Sequence, residues 1–417
     1  MPKLYRFSKR ALSQSFPINV LSLYCLQYLN FWRKTVKEQI MHFLDTNELL
    51  VNVQYGFREG FGVQGAIFDT ITSLQNTLDL GQTGSGLFID LKKAFDTVDH
   101  QILLLKLKQL GLKSLALNWF FDYLKNRKQS VLINNTSSDY LDILCGVPQG
   151  SVLGPILFLI YINDMAKIPL IGKVVLFADD AVIFYNGSKI EDLQMAMQTD
   201  LDLLNSWFRL NKLTCNIHKT QSMYFSKPSV AESLMGTGLV LYGKTVQSVS
   251  AVKYLGIHLD QYLSWNIHIN SLITKLRPLV YVFHKLSKCA PRTVVLNCYY
   301  ALFHSHLQFL CSIWGSSTQT IIKPVISLQN AIVRTIYGLP RLTPTTELYR
   351  ITPILSLPAC NDLQRVLHIL KLYLNIPHSN INLFFPFFSI YFLNYSSKCQ
   401  NNKVWNQRSS ISVNFGI

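Results

Sequence analysis

The sequence predicts an α+β domain followed by a mainly helical region, and three observations carry this. Short apolar runs of strand length alternate with helix-patterned segments as far as about residue 260. Beyond residue 265 the chain reads as helix, rich in Leu, Ile and aromatic residues. The 417 residues are 49% hydrophobic and 15% charged, a balance that supplies a large interior and excludes a disordered tail or a coiled coil.

Taken in order, residues 35–50 read as an amphipathic helix. Residues 63–80 read as a second, with Ile67, Ile71, Leu74 and Leu78 on one face. Gly81, Gly84 and Gly86 predict a break, after which GLFIDL is a short strand ending in Asp90. A helix from about His100 to Leu110 is closed by Gly111, and an aromatic-rich helix follows over 115–125. RKQSVLI and YLDILCG flank NNTSS as a hairpin. The loop GVPQGSVLGP then leads into the apolar run ILFLIYIND. KVVLF and AVIFY are strands separated only by Ala178-Asp179-Asp180. A helix over 191–208 has Leu193, Met197, Leu201, Leu204 and Trp207 on one face, and QSMYFS, GLVLYG and AVKYLGIHL are short strands. No internal repeat is visible.

Lys and Arg number 39 against 23 Asp and Glu, a formal charge of +16 spread along the chain. That favours a polyanionic partner, the plain alternative being a basic protein with no nucleic-acid role. The eight cysteines (Cys25, Cys145, Cys215, Cys289, Cys298, Cys311, Cys360 and Cys399) form no CxxC and no zinc-ligand pattern. They read as reduced thiols of a cytoplasmic or nuclear protein. MPKLYRFSKRALSQ is basic but lacks the apolar segment of a signal peptide. The uncharged stretches 152–163 and 381–395 fall short of the roughly 20 residues a membrane span needs, and Pro386 interrupts the second, so no stable membrane association is expected.

The chemistry begins with Asp179 and Asp180. Adjacent, partly buried carboxylates repel one another, and a hard divalent cation such as Mg²⁺ relieves that repulsion. Asp is also common in hairpin turns for local reasons. Asp90 changes the balance, because it too ends an apolar strand. If the two strand systems lie side by side, three carboxylates converge at one end of the sheet, as a two-metal phosphoryl-transfer site requires.

FIDLKKAFDTVDH, GVPQGSVLGPILFLIYINDM and LFADDAVIFY occur in that order. They resemble the A, B and C motifs of reverse transcriptases from non-LTR (LINE-type) retrotransposons, nearest the jockey-like group. The resemblance reaches upstream to QYGFREGFGVQGAI and downstream to LNKLTCNIHKTQSMYFS and VKYLGIHLD, and continues loosely through the helical part. It implies a right-hand polymerase: an N-terminal fingers segment over 1–50, fingers and palm with an antiparallel sheet over 51–260, and a helical thumb and C-terminal region over 261–417. The implied activity is RNA-directed DNA synthesis from dNTPs on a DNA 3′-hydroxyl, with two Mg²⁺ ions, or Mn²⁺ in their place. RNA template, DNA primer or target and dNTPs are the implied partners, within a cytoplasmic or nuclear ribonucleoprotein.

Residue by residue, Asp90, Asp179 and Asp180 match the metal-binding aspartates. Phe95 stands where the family places an aromatic gate against the ribose 2′-hydroxyl, with a core aromatic as the alternative. Pro148, Gln149 and Gly150 match the loop lining the nascent base pair. Arg58 matches a fingers arginine expected at the triphosphate, because a guanidinium forks onto phosphate oxygens; a solvated Arg is its alternative. Lys219 matches the lysine that protonates the leaving pyrophosphate, against a plain surface Lys. Tyr254-Leu255-Gly256 resembles the primer-gripping hairpin. Lys275, Arg277, Lys285, Lys288, Arg292 and Arg334 would track phosphates from the helical part, or form a solvated face.

The chain also departs from the family pattern. The endonuclease that usually precedes the polymerase is not expected in this sequence, which also carries no CCHC zinc knuckle. Phe16, in Ser15-Phe16-Pro17-Ile18, replaces an expected arginine, and the expected Ser-Lys pair is missing from SLYCLQYLNFWRKTVKEQ. This loss of fingers contacts supports an alternative: a remnant that binds RNA and DNA without useful turnover.

Overall fold

A computed structural model describes residues 20–226 and 238–374, and the departure at Phe16 lies outside the described residues. The chain divides at Ser264/Trp265 into two compact units.

In the first unit, α1 (Val20–Thr46) begins earlier than its periodicity predicts and stops four residues sooner. Glu48 adopts φ 49° beyond its end, and the Leu49 N–H donates to the Leu44 carbonyl, closing the helix. α2 (Val63–Asp79) buries Ile67, Ile71 and Leu74. β1 (Thr83–Asp90) includes Gly84 and Gly86, which were read as breakers. A Cβ on Gly84 would lie 3.2 Å from Leu74 Cδ2, and one on Gly86 3.0 Å from Phe88 Cε2. These glycines admit close packing within a strand. α3 (His100–Gln109) is capped by Asp99, whose Oδ1 accepts from the Gln101 and Ile102 N–H groups, and Gly111 closes its far end at φ 99°.

After α4 (Ser114–Leu124) comes a small hairpin: β2 (Lys128–Gln129), β3 (Leu132–Ile133), β4 (Thr136–Ser137) and β5 (Leu141–Asp142), with β2 on β5 and β3 on β4. Asn134 and Asn135 take φ 48° and 65° at its tip, conformations Asn tolerates. The apolar run ILFLIYI is α5 (Gly154–Ile162), a helix buried on all sides after Pro155.

β6 (Lys173–Phe177), β7 (Asp180–Gly187), α6 (Ile190–Leu210) and β8 (Gln221–Phe225) follow. GLVLYG contributes only β9 (Val240–Leu241), which pairs with β10 (Lys244–Thr245). β11 (Gln247–Ser248), β12 (Ala251–Tyr254) and β13 (Ile257–Asp260) complete the unit. The main sheet has the order β11-β8-β1-β7-β6, antiparallel throughout except for β11 on β8. It is covered on both faces. Leu87, Ile89, Leu176 and Ile183 enter the core shared with α5 and α6. Phe88, on the opposite face, meets Phe184 and Tyr254 edge-on at 6.1 and 5.7 Å.

The second unit is helical: α7 (Asn266–Cys289), α8 (Arg292–Tyr299), α9 (Ser305–Gln308), α10 (Cys311–Trp314), α11 (Gln319–Tyr337), α12 (Thr345–Ile351) and α13 (Leu357–Leu374). Its core holds Phe283, Tyr299, Phe303, Trp314 and Ile332. Buried Gln329 ties it together. Its amide nitrogen donates to Tyr299 Oη and the Leu355 carbonyl, and its oxygen accepts from the Leu357 N–H.

No helix among the described residues is long and apolar enough to cross a membrane.

Candidate active site

The β1–β7 register puts Asp90 directly opposite Asp180. Cross-strand partners project to the same face, with Cβ atoms about 5 Å apart. Phe177 pairs with Asp180 across the β6–β7 hairpin, so Ala178 and Asp179 form its tip, with Ala178 at φ 55°. The sheet therefore gathers Asp90, Asp179 and Asp180 at one end, as the apolar strands on either side of ADD predict.

Segment 214–220 is zipped onto the end of β1. The Lys92 N–H donates to the Thr214 carbonyl at 2.8 Å, and the Asn216 N–H to the Asp90 carbonyl at 2.7 Å. The Asp90 N–H donates to Thr220 Oγ1 at 3.3 Å. The turn that follows brings Lys219 Nζ to 3.7 Å from Asp90 Oδ1. Sequence reasoning found Lys219 but missed Thr220 and Asn216, which set its place; nothing in TCNIHKTQ distinguishes them from ordinary turn residues.

The electrostatics follow from this crowding. Desolvation, then Asp179 and Asp90, pushes the Asp180 carboxyl up to about 6, and Lys219 opposes the rise. Asp179 is raised as well, by desolvation and then by Asp90. The site is thus short of positive charge, which fits a divalent cation. Among the described residues no three Asp, Glu, His or Cys side chains already converge at ligand distance. A Mg²⁺ site built from one or two carboxylates and substrate phosphates needs no such cage.

A cleft of about 100 Å³ beside the carboxylates is lined by Asp90, Asp180, Lys219, Gln221, Lys253 and Tyr254. Tyr254 is buried at the end of β12, and Leu255 (φ 43°) and Gly256 (φ 90°) make the tight turn into β13. Phe95 lies in a short 3-10 turn, Ala94–Asp96, stacked on Phe158 at 4.3 Å with Phe57 edge-on at 6.2 Å. The PQG loop is laced to that turn. The Val147 N–H donates to the Phe95 carbonyl at 2.8 Å, and Gln149 Nε2 donates to Asp96 Oδ1 at 2.9 Å. Gly150 follows at φ 76°.

Arg58 is turned onto its own segment. Its guanidinium donates to the Val51 and Gln54 carbonyls at 2.9 and 3.4 Å, lies 3.7 Å from Asp45 and covers the Phe61 ring at 4.1 Å. In this conformation it braces the 51–58 segment. In the helical unit, Lys275, Arg277, Lys285, Lys288 and Arg292 are exposed. Lys288 and Arg334 line a groove of about 630 Å³ with His284 and Arg341, and Arg334 donates to the Thr343 carbonyl.

A family model described as reverse transcriptase (RNA-dependent DNA polymerase) matches residues 25–259. The chain is 27% identical over 326 residues to the probable RNA-directed DNA polymerase from transposon X-element of Drosophila melanogaster, covering 76% of this chain and 35% of that protein. It is 26% identical over 348 residues to the probable RNA-directed DNA polymerase from transposon BS of the same species, covering 80% and 37%. It is 27% identical to the RNA-directed DNA polymerase from mobile element jockey of Drosophila funebris, covering 76% and 35%. The chain thus spans about a third of the length of the curated relatives it matches. Among solved structures, a telomerase from Candida tropicalis with a telomeric RNA fragment aligns at 11% identity and a TM-score of 0.42, covering 79% of this chain and 58% of that one.

Proposed function

This chain belongs to the reverse transcriptase (RNA-dependent DNA polymerase) family, and from that premise we propose that it extends a DNA 3′ end with dNTPs on an RNA template, as part of a non-LTR retrotransposon. The observation that carries the reading is the pairing of Asp90 with Asp180 at the end of the sheet, beside the Asp179 turn and Lys219.

Asp90, Asp179 and Asp180 would hold two divalent cations, Mg²⁺ or Mn²⁺. When bound, these supply charge neutralisation for the attacking 3′-oxygen and the departing pyrophosphate. The chain's own groups do the rest. Lys219, exposed and lining the same cleft, protonates the leaving pyrophosphate. Phe95, its ring held by Phe158, gives a rigid wall against a ribose 2′-hydroxyl. Gln149 and Gly150, exposed beyond the laced loop, present an amide and open backbone to the nascent pair. Tyr254, Leu255 and Gly256 place a tight turn beside the carboxylates to hold the primer end. The charge of +16 suits an RNA and DNA partner in a cytoplasmic or nuclear ribonucleoprotein.

Primer extension on an RNA template with dNTPs and Mg²⁺ tests this, beside Asp179→Asn and Asp180→Asn controls. Extension that disappears in both controls is expected. Extension that persists in them, or none from a folded wild-type chain that binds the duplex, overturns it.

A further inference from the structure

The tip that carries Asp179 is held from outside its own hairpin. Segment 53–56 runs beside β6: the Leu176 N–H donates to the Val53 carbonyl, and the Tyr55 N–H to the Leu176 carbonyl, both at 2.8 Å. Between them Gln54, 1% exposed, points its carboxamide oxygen at two backbone donors, the Gly56 N–H at 2.8 Å and the Ala178 N–H at 3.0 Å. Two N–H groups facing one end of the amide require the oxygen there, so its orientation is forced by the donors. Gly56 completes the contact. A Cβ on it would stand 2.5 Å from Ala178 N and 3.1 Å from both Ala178 Cβ and the Phe177 carbonyl carbon. Ala178 itself sits at φ 55°, a conformation that residues with a Cβ adopt only when their surroundings impose it.

We propose that Gln54 is a positioning residue for the metal-binding turn. Its side-chain oxygen, with Gly56 packed against the Ala178 backbone, holds the Ala178–Asp179 tip in the shape that sets Asp179 and Asp180 for divalent cations. The link spans 124 residues of sequence. Arg58 acts one layer further out, since its guanidinium donates to the Val51 and Gln54 carbonyls. This rests on the metal-dependent reading above, so its test separates the two.

Four versions of the chain are compared: wild type, Gln54→Met (same length, no acceptor), Gly56→Ala and Asp200→Asn. Asp200 is a stability control, because it is buried and accepts from the Ile171 and Gly172 N–H groups at the other end of the hairpin. Mn²⁺ binding is followed by electron paramagnetic resonance and, without metal, amide exchange is read in a peptide covering 176–180. Gln54→Met and Gly56→Ala are expected to weaken Mn²⁺ binding about 10- to 100-fold, the range for residues that orient metal ligands, and to speed exchange of that peptide. Asp200→Asn is expected to lower the melting temperature and leave Mn²⁺ affinity within about twofold. Mn²⁺ affinity in folded Gln54→Met within twofold of wild type overturns the proposal, as does an equal loss in Asp200→Asn. A wild-type chain that binds no Mn²⁺ sinks the metal reading instead. Exchange then decides the strut alone: faster in Gln54→Met upholds it, and unchanged rejects it.

Discussion

Replacing Asp180 by Asn should stabilise the metal-free chain while abolishing its chemistry. The Asp180 carboxyl is raised from 3.8 to about 6, first by desolvation and then by Asp179 and Asp90. A rise of about two units corresponds to about 3 kcal/mol at 1.36 kcal/mol per unit. Asp180 is partly desolvated yet more than a third exposed, so screening leaves about 1 kcal/mol. The sign follows from linkage. A carboxyl whose folded pKa is raised favours the native state fully below 3.8, and that contribution is lost as pH rises through about 6. At pH 7.5 the ionised group is therefore a burden that Asn removes. Asp180→Asn should raise the melting temperature of the sheet-bearing unit by about 2–4 °C at pH 7.5 in EDTA, with the gain shrinking as pH falls from 6 towards 4. Mg²⁺ should raise the wild-type transition and leave the variant's in place. Scanning calorimetry at several pH values reads both effects. A variant less stable than wild type at pH 7.5, or a gain independent of pH between 4 and 7.5, would refute the argument that repulsion and burial strain this site.

Lys219→Met removes the cation that pulls the carboxylates down, so the Asp180 titration should move above about 6. Carboxyl-carbon NMR of the metal-free protein checks this, and an unmoved or lowered titration counts against it. Asp200→Ala should destabilise the first unit by about 1–3 kcal/mol, because the Ile171 and Gly172 N–H groups lose their buried acceptor. Urea denaturation measures it, and a cost under about 0.5 kcal/mol would mean water replaces the carboxylate. Gln329→Leu should cost the helical unit about 2–4 kcal/mol, since the Tyr299 hydroxyl, the Leu355 carbonyl and the Leu357 N–H each lose a partner. Two resolved unfolding transitions should show that loss in one of them alone.

The contrast between Asp179 and Gln54 shows what a sequence can and cannot disclose about such a site. KVVLF-ADD-AVIFY is readable because two β-rich runs on either side of a short polar turn allow little besides a hairpin, and carboxylates at its tip announce their chemistry. The partnership of Asp90 with that tip was also legible, since both end apolar strands. α5 is different: nine apolar residues predict burial, and only the structure makes them a helix. Gly84 and Gly86 misled because glycine marks both a break and a close approach, and the neighbours that decide between them, Leu74 and Phe184, are remote or cross-strand. Gln54 was invisible for a stronger reason. A glutamine in QYGFR has no local signature of function, and its task is defined by one N–H that lies 124 residues away. Arg58 shows the same effect in reverse, since a residue type suited to phosphate is engaged by carbonyls that its own segment supplies. Groups that meet substrate are constrained by chemistry and so carry a recognisable residue type. Groups that hold them are constrained only by reach and by a free lone pair, which many residues satisfy. The Ala178 tip is where both constraints meet: its left-handed backbone would favour Gly, yet here it is Ala, and the missing Cβ is at Gly56 across the contact. The space a turn residue normally frees for itself is freed by its neighbour, so the conformation of the metal-binding turn is specified jointly by two segments and is absent from either one read alone.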